Sequence, residues 1–171
     1  TEHAQAAMDC LCHVVGDDAG AVRWSEKALD AARRAHALPA EVAARLTNVA
    51  SSRWAVGDTE GALAAHREAL EVKRGVLGLG ANHPTVQRSL ASVATCLRSL
   101  DRRKEECDVL TELVRARGVG NTKDADETTV RDAAALATCL SSLGRMEDAV
   151  EMWRRVVDAQ RRLLGEEHPD V

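Results

Sequence analysis

The sequence is poor in aromatic residues, with no Phe, no Tyr and only three Trp among its 171 residues. Large rings contribute much of the buried area in most protein cores. Here the 45% of apolar residues must pack mainly through Ala, Leu and Val. Side chains of this size suit helices that lie close together, so the composition favours a helical protein.

The net charge is small, and the sequence has no long apolar run. The formal charge is −4, which gives no electrostatic reason to expect a nucleic acid or an anionic membrane as partner. No apolar run approaches the roughly 20 residues that a transmembrane helix needs. We therefore predict no nucleic-acid partner and no membrane insertion.

The five cysteines lack the spacing of a disulfide framework or a metal site. Cys10 and Cys12 would point about 200° apart on a helix and could not bind one metal ion. Cys96 and Cys139 recur at one position of the repeat described below, which is typical of a small core residue. We expect reduced, packed thiols and a reducing compartment such as the cytoplasm.

One segment of the sequence occurs twice. Residues 79–86, LGANHPTV, return as residues 164–171, LGEEHPDV, at an offset of 85. Weaker copies at 127–130 and 38–42 reduce the period to about 42 residues. Self-similarity at this period is typical of a solenoid, in which each repeat packs against its neighbours.

Each period is predicted to form a pair of helices. After Pro84, a residue suited to the first turn of a helix, apolar residues from Leu90 to Leu97 fall on one face. A turn at 100–103 precedes a second helix from about Lys104 to Arg117, and the last pair ends with a helix from Met146 to Leu164. The earlier second helices are predicted from Ala21 to His36 and from Glu60 to Val76. No strand pattern competes, so the predicted fold is all-α.

The predicted repeats cover residues 1–37, 38–80, 81–122 and 123–165, and 166–171 begin a further repeat. Together, residues 1–171 are interpreted as a single repeat domain. Because the pattern is already under way at Ala4 and restarts at His168, we expect a fragment of a longer protein.

The sequence contains no motif for catalysis. A phosphate-binding loop, a His-Glu-x-x-His motif and a nucleophile elbow are all absent from it. His83 and His168 belong to the repeated junction and are expected to cap a helix start or to pack on the preceding turn. His13, His36 and His66 have no metal-ligand partner at a suitable spacing. We predict no enzyme activity, no cofactor and no metal site.

Two short segments carry a family resemblance. Residues 57–62, GDTEGA, and 144–149, GRMEDA, resemble the centre of a tetratricopeptide repeat, and residues 161–171 resemble its kinesin-light-chain type. The resemblance implies a right-handed superhelical solenoid of antiparallel helix pairs with four repeats. The usual core aromatics are replaced at four positions, and Trp153 alone is kept at its expected position. The replacements are Leu97, Leu140, His66 and Thr111.

The resemblance also implies that the first helix of each pair lines a concave groove. Small polar side chains and arginines lie opposite the apolar stripe of these helices, which suits an extended peptide. Asn48 stands where the family commonly has a peptide-binding asparagine, although the matching positions hold Ala6, Ser92 and Ala135. The candidate groove residues are Thr47, Asn48, Ser51, Trp54, Arg88, Ser92, Thr95, Arg131 and Thr138. With Arg88 and Arg131 in equivalent positions, we expect an acidic peptide.

Two functions remain open at this stage. The first is an adaptor or scaffold module that binds a peptide of a partner protein without chemistry. The alternative is a regulatory or sensor array that packs against another domain of its own polypeptide or associates with itself. The expected location is cytoplasmic, and the resemblance adds an association with the cytoskeleton or cilium. Coiled-coil heptads in the flanking sequence would favour the adaptor, and a phosphate-binding loop would favour the sensor.

Overall fold

The computed structural model describes residues 18–118 and 126–164, and within these ranges it contains helices and turns but no strand. The prediction of an all-α fold is therefore confirmed. The seven helices are α1 (Asp18–Arg34), α2 (Pro39–Ala55), α3 (Thr59–Glu71), α4 (Pro84–Ser99), α5 (Arg103–Arg117), α6 (Glu127–Ser142) and α7 (Met146–Leu164). A π-helical turn, Val72–Val76, extends α3. No helix in the described ranges is both long enough and apolar enough to cross a bilayer.

The chain divides into two compact units after Gly80. Unit 1 contains α1–α3, and unit 2 contains α4–α7. Within each unit every helix packs on the next one along the chain. This is the packing expected of helix pairs joined by short turns.

Side chains just before the helices satisfy their free amide groups. Asp58 accepts a hydrogen bond from Gly61 N at 2.9 Å, and Asp126 accepts one from Thr129 N at 2.7 Å. His83 Nδ1 accepts from Thr85 N at 3.3 Å, so this ring caps the start of α4 as the sequence predicted. Each contact satisfies an amide that has no partner inside its own helix.

The turns within the helix pairs share one backbone conformation. Gly57 and Gly144 have φ values of 83° and 75°, and Asp101 takes the equivalent place with φ 56°. In each turn the amide of the following residue bonds back to a carbonyl five positions earlier, as in Arg102 N to Leu97 O at 2.9 Å. These bonds end the first helix and direct the chain into the second.

The two cores are built from small aliphatic residues. In unit 1, Leu29 from α1 packs with Leu46, Val49 and Ala50 from α2 and with Ala65 and Ala69 from α3. In unit 2 the buried residues include Leu90, Val93 and Leu97 from α4, Leu110 and Leu113 from α5, and Leu136 and Leu140 from α6. Cys96, Cys107 and Cys139 are buried as free thiols, and for Cys96 and Cys139 this confirms the prediction of core residues.

Some predicted boundaries differ from those observed. The second helix of the first pair is already helical at Asp18, the first described residue, before the predicted Ala21. It ends at Arg34, before the predicted His36, because His36 adopts a left-handed conformation. The α-helical part of α3 ends at Glu71, short of the predicted Val76. The predictions for Ala6, Cys10, Cys12, His13 and the 166–171 junction lie outside the described residues.

Candidate functional site

In unit 1 the candidate residues lie along α2. Thr47 and Asn48 are half-buried, Ser51 is exposed, and Trp54 keeps 40% of its surface accessible. The hydroxyls of Thr47 and Ser51 donate to the carbonyls of Ala43 and Thr47, at 2.9 and 3.1 Å. The side-chain amide of Asn48 makes no hydrogen bond within the described residues, which leaves it able to donate and to accept.

In unit 2 the candidate residues lie on two helices. Arg88 and Thr95 are exposed and Ser92 is half-buried on α4, whereas Arg131 and Thr138 are exposed on α6. No hydrogen bond between described residues joins the α4 set to the α6 set. The structure thus places every candidate residue at the surface of its own unit.

The hydroxyl groups of unit 2 are oriented by their own helices. Ser92 donates to Arg88 O at 3.1 Å, Thr95 to Ala91 O at 2.9 Å, and Thr138 to Ala134 O at 2.9 Å. With its proton engaged, each hydroxyl oxygen still has lone pairs that can accept. A ligand would therefore meet acceptors at these positions, which suits the N–H groups of an extended backbone.

Arg88 and Arg131 differ from the other arginines of the first helices. Arg45 pairs with Glu41 at 3.3 Å, Arg53 with Glu26 at 2.6 Å, and Arg98 with Glu106 at 2.6 Å. Arg88 and Arg131 make no ion pair with any residue that the structure describes. Two guanidinium groups, one repeat apart, thus remain open to an external carboxylate.

Beside Arg131, a partly buried ion pair joins α5 to α6. Arg117 Nε lies 3.1 Å from Asp132 Oδ2, although the angle is unsuited to a hydrogen bond. Arg117 Nη1 also donates to Thr128 Oγ1 at 2.7 Å. Burial raises the pKa of the Asp132 carboxyl, and the positive charge of Arg117 opposes that shift. The contacts of Arg117 thus connect the end of α5 to the first turns of α6.

A shallow cavity of about 280 Å³ lies elsewhere in unit 2. Thr111 on α5 belongs to its wall, whereas Leu110, nine residues after Asp101, takes the repeat position of Trp153, nine residues after Gly144. The lining residues are Thr111, Val114, Arg115, Gly118, Leu136, Met152 and Arg155.

The sequence interpretation missed an exposed apolar stripe on α7. Met146, Val150 and Trp153 are 61%, 50% and 41% exposed. The family resemblance assigns Trp153 to a core position, but in this structure its ring is open to solvent. The spacing of four and then three residues is visible in the sequence and could have identified the stripe.

Metal binding finds no support in the described ranges, where no cluster of three His, Cys, Asp or Glu could hold an ion. The buried thiol of Cys139 instead donates to Arg103 O at 3.2 Å. Burial and the nearby Glu106 carboxylate raise the pKa of Cys139 to about 12. The Cys139 side chain thus packs in the core of unit 2 as a neutral thiol.

Comparison with protein-family models identifies the type of repeat that these helix pairs form. A tetratricopeptide repeat model matches residues 42–85 and 133–170. These two segments match tetratricopeptide repeats, and the chain resembles that family. Repeats of this family act in protein–protein interaction and scaffolding, and they are generally not catalytic.

Solved structures show the same fold. A Podosopora anserina protein described as a kinesin light chain with nearly identical TPR-like repeats superposes with a TM-score of 0.78 at 18% identity, over 98% of this chain and 78% of that one. BtubC (BKLC) from P. vanneervenii gives 0.61 at 16% identity, over 87% and 59%. MamA gives 0.60 at 15% identity, over 89% and 74%. No curated protein sequence shows significant similarity to this chain.

Proposed function

We propose that this protein is a non-catalytic adaptor that binds an extended, acidic peptide segment of a partner protein through the polar faces of α4 and α6 in unit 2. The proposal rests on the exposure of Arg88 and Arg131 and on their lack of ion pairs. Both are exposed, and neither makes an ion pair with a described residue, whereas the other arginines of α2, α4 and α6 are paired. Guanidinium groups form bidentate hydrogen bonds with carboxylates, so acidic side chains are the ligands they fit best.

The neighbouring hydroxyls support a peptide as the ligand. Ser92, Thr95 and Thr138 present acceptor oxygens beside the arginines because their protons are bound within their helices. An extended peptide supplies backbone N–H donors to such acceptors.

The expected affinity is modest. Both arginines are solvent-exposed, and charge pairs at such sites contribute little because water and salt screen them. We expect dissociation constants on the order of micromolar, or about −8 kcal/mol. The cytoplasmic location belongs to the same proposal, since free buried thiols suit a reducing compartment.

A peptide-display screen against the protein, followed by titration of selected peptides, tests the proposal. We expect acidic sequences to be enriched and their binding to weaken as salt rises. Arg88→Glu with Arg131→Glu should reduce affinity at least about tenfold, equivalent to about 1.4 kcal/mol, without loss of helicity.

The matched control makes the same change of charge at the exposed Arg34 and Arg162, which end second helices. This variant should bind as well as the parent protein. Equal binding by the parent and the Arg88/Arg131 variant would refute a role for these arginines. Enrichment of purely apolar peptides would refute the acidic class of ligand.

A further inference from the structure

The cavity in unit 2 lies between three consecutive helices. Its volume is about 280 Å³ and its walls come from α5, α6 and α7, so we call it the α5–α7 cavity. Every residue that lines it belongs to the described ranges, and none is one of the candidate groove residues. The cavity is therefore formed by helix packing within one unit and is separate from the proposed peptide site.

Much of the wall of the α5–α7 cavity is apolar. Val114 from α5 and Leu136 from α6 are buried, and Met152 from α7 is half-buried. Thr111 is half-buried in the same wall, and its hydroxyl donates to Cys107 O at 2.7 Å. An apolar group of a ligand would remove this surface from water, which is favourable.

The charges around the α5–α7 cavity are predominantly positive. Among the described residues that line it, the charged ones are Arg115 on α5 and Arg155 on α7, and both are exposed. Arg155 pairs with Glu151 of its own helix, whereas Arg115 makes no ion pair with any residue that the structure describes. One positive charge is thus left uncompensated, which favours a ligand with one negative charge.

The end of α5 does little to oppose an anion at this position. Carbonyl groups at the end of a helix carry a partial negative charge of roughly half a unit. Gly118 lines the cavity, and its amide donates to the carbonyls of Val114 and Arg115, each at 3.1 Å. These two carbonyls are therefore satisfied. The full charge of the Arg115 guanidinium outweighs the partial charge that remains.

We propose that the α5–α7 cavity binds a small organic monocarboxylate that carries one apolar ring. The guanidinium of Arg115 can donate two parallel hydrogen bonds to the carboxylate, while the ring contacts Val114, Leu136 and Met152. A cavity of about 150 Å³ holds a benzene molecule, so a volume roughly twice as large suits one ring with a short carboxylate arm. An extended peptide of several residues is too large for it.

The probe for this site is 3-phenylpropionate, and its binding can be observed at Met152. The chain has three methionines, Met8, Met146 and Met152. Protein labelled with carbon-13 at the methionine methyl groups should show the Met152 signal moving and saturating, with a dissociation constant on the order of 1 mM. Met152→Leu assigns this signal. The Met146 signal should not move, since Met146 does not line the cavity.

Matched ligands separate the roles of charge and ring. 3-Phenylpropanamide keeps the ring and the arm without the charge, and it should bind about threefold more weakly or worse, as expected for one exposed ion pair. Propionate keeps the charge without the ring and should bind at least about tenfold more weakly. Phenyl phosphate should bind no more tightly than 3-phenylpropionate, because only one positive charge is uncompensated. Tighter binding of phenyl phosphate would overturn the assignment of a carboxylate.

Matched variants locate the ligand. Arg115→Gln should weaken binding about threefold or more, and Thr111→Phe should abolish it by filling the cavity. The control is Arg154→Gln, at an exposed position of α7 that does not line the cavity, and it should bind like the parent protein. Circular dichroism establishes that each variant remains helical.

Three results would each overturn the proposal. The first is a Met152 signal that stays in place up to about 20 mM 3-phenylpropionate, well above the expected dissociation constant. The second is equal binding of the acid and its amide, which would remove the role of Arg115. The third is binding that persists in Thr111→Phe, which would place the ligand outside the α5–α7 cavity.

Discussion

Arg98 Nε lies 2.6 Å from Oε1 of Glu106, a carboxylate whose side chain is only 1% exposed. Arg98 stands at the end of α4 and Glu106 in the first turn of α5, so the pair closes the turn between these helices. Arg103 adds a second contact at 3.3 Å, and the thiol of Cys139 lies 3.8 Å from the same carboxylate. Glu106 therefore connects three consecutive helices of unit 2.

The first prediction follows from the unequal burial of these partners. Arg98→Ala should lower the free energy of unfolding by about 1.5–3 kcal/mol, since a buried carboxylate loses its shorter charged hydrogen bond. Glu106→Gln should have a smaller effect, because the half-exposed arginines regain water. Urea unfolding followed by circular dichroism measures both. Arg88→Ala, at an unpaired exposed site, should leave the urea midpoint unchanged. A shift as large as that of Arg98→Ala would mean that the lost hydrogen bond to Glu106 is not the cause.

Local periodicity is sufficient to predict most of the helices. The last helix begins at the predicted Met146 and is helical as far as Leu164, the last described residue, and α5 begins one residue before its predicted start. Both have a strong apolar period and a turn signal directly before them. The π-helical turn at Val72–Val76 is not predicted, because nothing in the apolar period there distinguishes it from the α-helix it extends.

Long-range polar contacts could not be predicted from the sequence. An acidic residue in a first helical turn is normally solvated, yet Glu106 is buried because arginines from two helices meet it. Arg53 is half-buried on α2 and pairs with Glu26, which precedes it by 27 residues. Such pairings depend on tertiary packing. The candidate groove residues are surface residues, and helix rotation alone could place them.

A second prediction concerns Gly61 in the first turn of α3. A methyl group there would lie 2.0 Å from Asp58 Oδ2 and 2.9 Å from Arg53 Cδ. Gly61→Ala should displace the Asp58 cap and destabilise unit 1 by about 0.5–2 kcal/mol. Gly75→Ala is the matched control, because its new methyl group meets nothing within 4 Å. Thermal unfolding should show a lower midpoint for Gly61→Ala and an unchanged midpoint for Gly75→Ala. A lower midpoint for Gly75→Ala than for Gly61→Ala would exclude displacement of the Asp58 cap as the cause.

A third prediction concerns the thiols. Burial raises the pKa of both Cys96 and Cys139, so little reactive thiolate forms and reagents have poor access to it. A bulky maleimide at about pH 8 should leave Cys96, Cys107 and Cys139 unlabelled in the folded protein and label them in denaturant, as peptide mapping would show. Rapid labelling with the fold intact would mean that these positions are exposed.

The same packing predicts the effect of larger side chains at these positions. Cys96→Phe or Cys139→Phe should destabilise by about 1–3 kcal/mol through overpacking. Cys139→Ala, which keeps the position small, is the control and should shift the urea midpoint less. If Phe is accommodated without loss of stability, the space around the thiol is larger than the structure shows.

The final prediction is a pH dependence that originates at His66. The ring is 8% exposed, its Nδ1 has no hydrogen-bond partner in the described part of the chain, and burial followed by the charge of Lys73 lowers its pKa below 6.5. The unfolded chain then binds a proton more readily than the folded one. Stability should be greatest above about pH 6.5 and should fall as the pH drops from there toward the lowered pKa.

Urea midpoints at about pH 7.5 and 5.5 measure this effect. His66→Leu should reduce the difference between the two midpoints, since Leu63 and Leu70 show that α3 accepts leucine on this face. Lys73→Gln should reduce it in part by removing a repelling charge. His36→Asn, at an exposed ring whose left-handed backbone asparagine tolerates, should leave the difference unchanged. If His66→Leu keeps the full pH dependence, the proton is taken up elsewhere, and burial of this ring is not its cause.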